Sequence, residues 1–552
     1  MDTISPPHSF KDASMSPPGR WNAAIFIIAL EVAERFAYYG VAGNLITYLT
    51  NNLHQPLGVA SKNVNLWIGV TSMFPLLGAV VADSYIGRFN TILLSSLIYL
   101  MGMILLTLSV SVIPPNLRGT VFMAALYIMG VGEAGHKPCV QTFAADQFDE
   151  SNPKEKAEKL SFFNWWYFGI VAGASTAVLV VTYVQENIGW TLGLSVLVGV
   201  LGVALMMFLM GVTRYRKQPA VGSPCTRIAQ VVVAAIRKRH VKVNEEVPGS
   251  SICYVDCGAN GRLLARTHQF RFLDKAFTMD GKDMSSTVRN PWRLCSVNQV
   301  EEAKQVLRLG PICLSSLMFA AVTVQSHTFF IKQGSTMVRS IGPNFSIPAA
   351  SLQAFTGIGI LAAVFLYDRV FVPATRKISG HPSGITTLQR IGFGLSLTIV
   401  EMVVAALVEG KRLRVARDHE LLNSPMATIP ISVWWLLPQY VINGFADLFA
   451  VVGLQELFYE EAPEALRSMG AAQWIGIIGA GSFLSGAIIA VVQKITAVHG
   501  GAWLGSNVNT AHINHFYWVL AALSALNLCV YVWVAKGYVY KTVENEECIE
   551  NP

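Results

Sequence analysis

The chain has 552 residues, 53% of them hydrophobic and only 14% charged, with a mean hydropathy of +0.45. That balance excludes an ordinary soluble domain and points to a protein that crosses a bilayer many times. The formal charge of +7 is unevenly spread; no stretch reads as a basic recognition helix or an aromatic stacking platform, so nucleic acid is not an expected partner.

The polar, Pro- and Ser-rich opening, Met1 to Arg20, lacks the positive start and short apolar core of a cleavable signal peptide, so the first span is expected to serve as an uncleaved one. A helix needs ~20 mostly apolar residues to cross the hydrocarbon core. Such runs fall at about 22–49, 64–84, 90–113, 119–146, 161–184 and 188–212, and again at 306–331, 347–371, 388–410, 431–460, 468–495 and 513–537. Twelve transmembrane helices in two six-helix bundles follow: an all-α membrane protein with a tail at 1–21, bundles at 22–212 and 306–537, a central loop at 213–305 and a second tail at 538–552. Alternating ten-residue strands are missing, so a membrane barrel is excluded.

The loop is rich in basic residues from Arg214 to Lys242, which places it, both tails and Arg88 in the cytoplasm. Lys411, Arg412, Arg414 and Arg417 then land on the outer side, against the rule. The loop should be part amphipathic helix and part disordered. The eight cysteines are scattered; Cys253 and Cys257, the one close pair, lack a usual metal-ligand spacing, so neither a disulfide framework nor a metal site is expected. Asn344-Phe-Ser346 is a sequon on the outer side, close against the eighth span.

Within the first span, Glu31, Glu34 and Arg35 share one helix face. Charges at membrane depth cost at least ~2.5–3.5 kcal/mol each and normally face a protein interior or a watery cavity. Two acids beside one arginine form a coupled titrating system. This is either a static ion-pair cluster that fixes helix packing or a proton site inside a transporter.

Gly78-Ala-Val-Val-Ala-Asp83-Ser-Tyr-Ile-Gly87-Arg88 lies at the turn after the second span, and Asp368-Arg369 with Pro373 and Arg376 stands at the corresponding turn after the eighth. Asp83, Gly87 and Arg88 resemble the gating turn of the major facilitator superfamily, and the second turn is the echo expected of two six-helix halves. Thr91, three residues after Arg88, is a candidate phosphosite at a helix start.

Glu31-x-x-Glu34-Arg35-Phe36-x-Tyr38-Tyr39-Gly40 resembles the first-helix signature of the proton-coupled oligopeptide transporters. Lys137-Pro138-Cys139 with Phe143-Ala-Ala-Asp146-Gln147-Phe148-Asp149 resembles their fourth helix, and Phe162-Phe163-Asn164-Trp165-Trp166-Tyr167 their fifth. Asn290-Pro291-Trp292-Arg293-Leu294-Cys295 and Gln299-Val300-Glu301-Glu302 are similar to the plant branch, the nitrate transporter 1/peptide transporter family. The resemblance implies the major facilitator fold, with Glu31, Glu34, Arg35 and Lys137 in proton coupling. It implies that Lys137 pairs with the first-helix acids or meets a negative group of the substrate. It also assigns Glu456 in the tenth helix to a substrate's amino group, with a purely structural carboxylate as the alternative.

Two residues depart from the family pattern: Glu133, where a small residue is usual, and His136, where isoleucine is usual. Glu133 precedes Lys137 by one turn, so it either competes for that lysine or merely reaches a polar cavity wall. The family's nitrate-binding histidine and the tyrosine common in its peptide carriers both align with Thr323. His327, one turn later, is either a packing residue or a switchable cation in a new place. Tyr38, Thr323, Gln325 and His327 complete the candidate substrate set; Tyr39, Trp434 and Trp474 are cavity-lining or packing aromatics.

These readings converge on a proton-coupled symporter of di- or tripeptides, nitrate or a related plant metabolite, in the plasma or vacuolar membrane. It would work by alternating access, as a monomer or weak dimer, with protons as coupling ion and no other cofactor. A proton-independent facilitator or transceptor-like sensor on the same scaffold is the alternative. No nucleophile–base pair, metal-ligand set or phosphate-binding glycine loop points to an enzyme.

Overall fold

The computed structural model describes residues 19–149, 152–217, 224–240, 262–264, 266–279, 290–343, 345–379, 385–424, 427–461, 467–498, 503–505, 507–540 and 543–547. Twelve long helices carry the chain: α1 (Arg20–Ala42), α2 (Leu57–Val81), α3 (Arg88–Ser111), α4 (Pro115–Ala145), α5 (Pro153–Thr176), α6 (Trp190–Met210), α7 (Val297–Thr323), α8 (Ala354–Leu366), α9 (Thr387–Asp418), α10 (Leu437–Glu461), α11 (Arg467–Val498) and α12 (Ile513–Lys536). Ten of them, with their continuations, are long and apolar enough to cross a membrane. The other two, α1 and α4, are the ones that bring several charged side chains to mid-helix.

Each set of six encloses its own core. Ile27, Trp67, Tyr99, Met129, Phe162 and Leu197 lie in the first; Phe330, Met402, Tyr440, Ile489 and Phe516 anchor the second, with Leu309, Ile391 and Leu454 beside them. With lipid outside, close packing rather than water exclusion holds such helices together, and small residues permit it. A Cβ on Gly78 would sit 1.8 Å from the Ala134 carbonyl oxygen, so only glycine lets α2 approach α4 this closely. The internal echo is structural as well: α2 and α8 both end in a wide, π-type turn, at Ala82–Ile86 and Tyr367–Phe371.

The halves meet along α2 and α11, where the Asn65 amide donates to the Ser485 hydroxyl at 2.9 Å. The other described cross-half side-chain bonds gather at one end of the bundle, opposite the central segment. Gln353 donates to the Gly43 carbonyl, the Thr182 and Ser351 hydroxyls meet at 3.1 Å, Lys332 reaches Asn51 and Arg339 reaches Glu186.

Several expected boundaries move, among them α5, which starts at Pro153 rather than 161. α2 starts at Leu57, ahead of the expected 64. α7 starts at Val297, inside the stretch assigned to the loop, behind a capping box made by Ser296 and Gln299. Its first turns carry Glu301, Lys304 and Arg308, whose charges mask the helix in a hydropathy reading. They fold because Val300 and Ala303 pack onto Val231 and Ala234 of an amphipathic loop helix, Pro224–Arg237, and onto Leu273 and Phe277. Lys304 sits between Asp274 at 2.6 Å and Glu301 at 2.7 Å. α9 runs on to Asp418, so Lys411, Arg412, Arg414 and Arg417 are helical rather than loop charges. Arg412 is fully buried and therefore no violation of the charge rule. The sequon residue Asn344, Cys253 and Cys257 lie outside the described residues.

Candidate functional site

Glu31, Glu34 and Tyr38 follow one another at helical spacing and place one face of α1 against α4. Glu133, His136 and Lys137 do the same on α4. The two faces bring six polar groups together. Arg35 Nε lies 3.0 Å from Glu31 and 3.2 Å from Glu34. The second oxygen of Glu31 is 3.4 Å from His136 Nε2, while His136 Nδ1 meets the Ser96 hydroxyl of α3 at 3.2 Å. Lys137 Nζ is 3.1 Å from Glu133 and 4.1 Å from the centre of the Tyr38 ring, which itself stacks on Trp67. The Glu133 and Glu34 carboxyls approach within hydrogen-bonding reach.

Glu31, Glu34 and Glu133 are each at most 1% exposed. Buried charges must be balanced, because each lone ion loses several kcal/mol of hydration. Three carboxyls face two permanent cations, Arg35 and Lys137. The cluster therefore holds one carboxyl more than it has permanent cations. Glu34 and Glu133 meet Arg35 and Lys137 as ion pairs, but their oxygens accept no well-directed hydrogen bond among the described residues, so a proton shared by that pair would add a bond. Glu31, Glu34 and His136 could also present one ligand atom each within 4.8 Å of one another. Arg35, already against both carboxylates, would repel a metal ion there.

The backbone of the turn between α2 and α3 is described. Gly87 has φ +81°, a conformation that favours glycine, and caps the start of α3. Arg88 reaches Asp146, just past α4, at 2.5 Å; the Asp83 side chain lies outside the described residues. Thr91 is buried and its hydroxyl donates to the Gly87 carbonyl at 2.9 Å. A kinase would reach it only after that turn opened.

The second half departs further from expectation. α7 breaks after Thr323 into a tight turn, Val324–His327, before resuming at Phe329. Thr323 Oγ1 and His327 Nδ1 are buried and have no hydrogen-bond partner among the described residues. Gln325 is fully buried and gives its amide to the Ala321 carbonyl and to Ser485, so it joins α7 to α11 instead of lining a cavity. Glu456 has a partner of its own. Its side chain is 36% exposed near the loop-side end of α10 and pairs at 3.1 Å with Arg390 at the start of α9. Trp434 is exposed and packs on Phe355, and Trp474 packs on Phe319 within the second half.

The intramembrane acids of this half are ones that sequence reasoning missed. Glu401 of α9 is fully buried and accepts from the Asn443 amide at 3.1 Å, and its other oxygen has no hydrogen-bond partner among the described residues; an oxygen of Asp447 of α10 has none there either. Both were legible as acids inside apolar runs, which is the signal that singled out Glu31 and Glu34.

The sequence model of the POT family matches residues 89–512. The chain belongs to the POT family. It is 53% identical to protein NRT1/PTR family 5.4 of Arabidopsis thaliana over 96% of both chains. It is 46% identical to protein NRT1/PTR family 5.10 of the same plant, over 97% of this chain and 96% of that one. Two solved structures share the fold. One is an auto-inhibited POT family peptide transporter, with TM-score 0.70 and 19% identity over 96% of this chain and 98% of that one. The other is the POT family transporter PepTSo, with TM-score 0.69 and 21% identity over 94% and 98%. This POT-family chain is thus an integral multi-pass transporter with the major facilitator fold, not an enzyme.

Proposed function

We propose that the chain is a proton-coupled symporter of a small solute that carries a negative group: a short peptide, nitrate or a related plant metabolite. The observation that carries this reading is the unequal charge of the α1–α4 cluster, three buried carboxyls against Arg35 and Lys137. A proton entering it removes one carboxylate charge. Its cation partner then has less to hold, and Lys137, already on the Tyr38 ring, becomes free to meet an anionic group of the substrate. The cross-half bonds at the end opposite the central segment describe a carrier closed on that face. Loading protons and substrate shifts the balance between that closure and its opposite. With the basic segment from Arg214 onward in the cytoplasm, the closed face is the outer one, in the plasma or the vacuolar membrane.

Uptake into proteoliposomes under an inward-acid gradient tests the proposal. Labelled nitrate and a labelled dipeptide are compared, in wild type and Glu34→Gln. Accumulation should need the gradient and fall at least about tenfold in the variant, the scale of one lost charge-assisted contact. Transport indifferent to both gradient and substitution would leave a facilitator.

A further inference from the structure

A second polar cavity, of about 500 Å³, lies at the closed end of the seam, apart from the α1–α4 cluster. Its walls come from both halves: Thr47, Asn51 and Glu186 from the first, Lys332 and Arg339 from the second, with Trp190 at one side. Two cations face one carboxylate, so one positive charge is left over among the described residues. Arg339 spends its charge on Glu186 at 3.0 Å. Lys332 does not: only 6% exposed, it donates to the neutral amide oxygen of Asn51 at 3.0 Å. Thr47, 7% exposed, lines the same cavity, and its hydroxyl is buried with no described hydrogen-bond partner. A buried ammonium that makes no direct ion pair among the described residues, Glu186 across the cavity acting on it only at longer range, and a buried hydroxyl without a described partner are costly unless something completes them. His54 is the remaining titratable wall residue; the neighbouring Arg412, which touches Thr336 of the wall, is neutralised by Glu409.

We propose that this cavity is a small-anion site, in which Lys332 Nζ and the Thr47 hydroxyl hold a small inorganic monoanion such as nitrate. The bound anion supplies the missing negative charge. Because its two ligands belong to different halves of the molecule, it sits on the seam that closes this face, and it competes with Glu186 for Arg339. It is a docking site distinct from the central one and needs no proton movement.

The test is thermal unfolding of the full-length protein in lipid nanodiscs, titrated with sodium nitrate at ionic strength held constant with sodium gluconate. Wild type should be stabilised saturably. Lys332→Gln should need about tenfold more nitrate or more, as expected for loss of a charged hydrogen bond, and Thr47→Val about threefold more. Lys137→Gln, altered in the central cluster, should titrate like wild type, so failure of the transport mechanism leaves this outcome readable. A wild type without a saturable response overturns the site. So does a Lys332→Gln or Thr47→Val protein that responds normally, or a response that Lys137→Gln abolishes. Should Lys332→Gln fail to fold, Thr47→Val, which removes no charge, decides alone.

Discussion

The two halves of the molecule bury arginines in opposite ways. Arg412 of α9 uses all of its hydrogen-bonding capacity: two bonds to Glu409 at 2.6 and 2.8 Å, and one each to Thr336, Asn509 and the Val508 carbonyl at 2.8–3.0 Å. Arg35 of α1 stands between two carboxylates and makes one described hydrogen bond, to Glu31. A fully satisfied guanidinium ties its neighbours together and has nothing to exchange. A partly satisfied one, among more acids than cations, has alternatives of nearly equal energy. The first arrangement is a clamp and the second has the make-up of a switch.

The comparison breaks most sharply at its two arginines. Arg412→Gln strands Glu409 in a fully buried site, and removing one member of a buried pair costs about 3–5 kcal/mol. Its thermal midpoint should therefore fall by the largest margin of any variant named here. Arg35→Gln should fold, judged by size-exclusion and thermal unfolding, yet lose gradient-driven uptake. Equal stability of Arg412→Gln and wild type would remove the distinction between clamp and switch.

A smaller effect is expected of Glu133→Gln. It leaves Glu31 and Glu34 against Arg35 and Lys137, so the cluster balances without an added proton. Uptake should persist but depend less steeply on the acid gradient. A wild-type pH profile in Glu133→Gln would show that Glu133 takes no part in the coupling and only lines the helix contact.

How much of this was legible follows from the same chemistry. Charges in an apolar run are rare enough to stand out, and the spacing of Glu31, Glu34 and Arg35, and of Glu133 and Lys137, fixes which share a face; both groups were found from sequence. What spacing does not carry is the partner from a distant segment. Glu456 looks like an unpaired acid until Arg390, on the neighbouring helix, is seen to pair with it. Arg412 looks like a loop charge because its acceptors at 336, 508 and 509 lie far along the chain. Gln325 looks like a cavity residue until Ser485 takes its amide. The first turns of α7 were hidden for the converse reason: they are too charged for a span, and their stability comes from the loop helix packed on them.

A third kind of ion pair, at the solvent edge, supplies the smallest effect and calibrates the others. Glu155, near the start of α5, accepts from Arg216 at 2.9 Å and from the Asp149 backbone at 2.7 Å, tying the segment after α6 to the turn after α4. The Arg216 guanidinium, helped by that backbone donor, holds the Glu155 carboxyl below its ordinary value of 4.5. A carboxyl held low in the folded state contributes stability above its unfolded value and loses it as pH falls through the folded one. Glu155→Gln should therefore be less stable than wild type at pH 7 by about 1 kcal/mol, with the difference shrinking below about pH 4.5 and at high salt. The buried Arg412 pair should show no such salt dependence. A Glu155→Gln penalty that survives both acid and salt would mean that this contact, too, is sealed from water and belongs with the clamp.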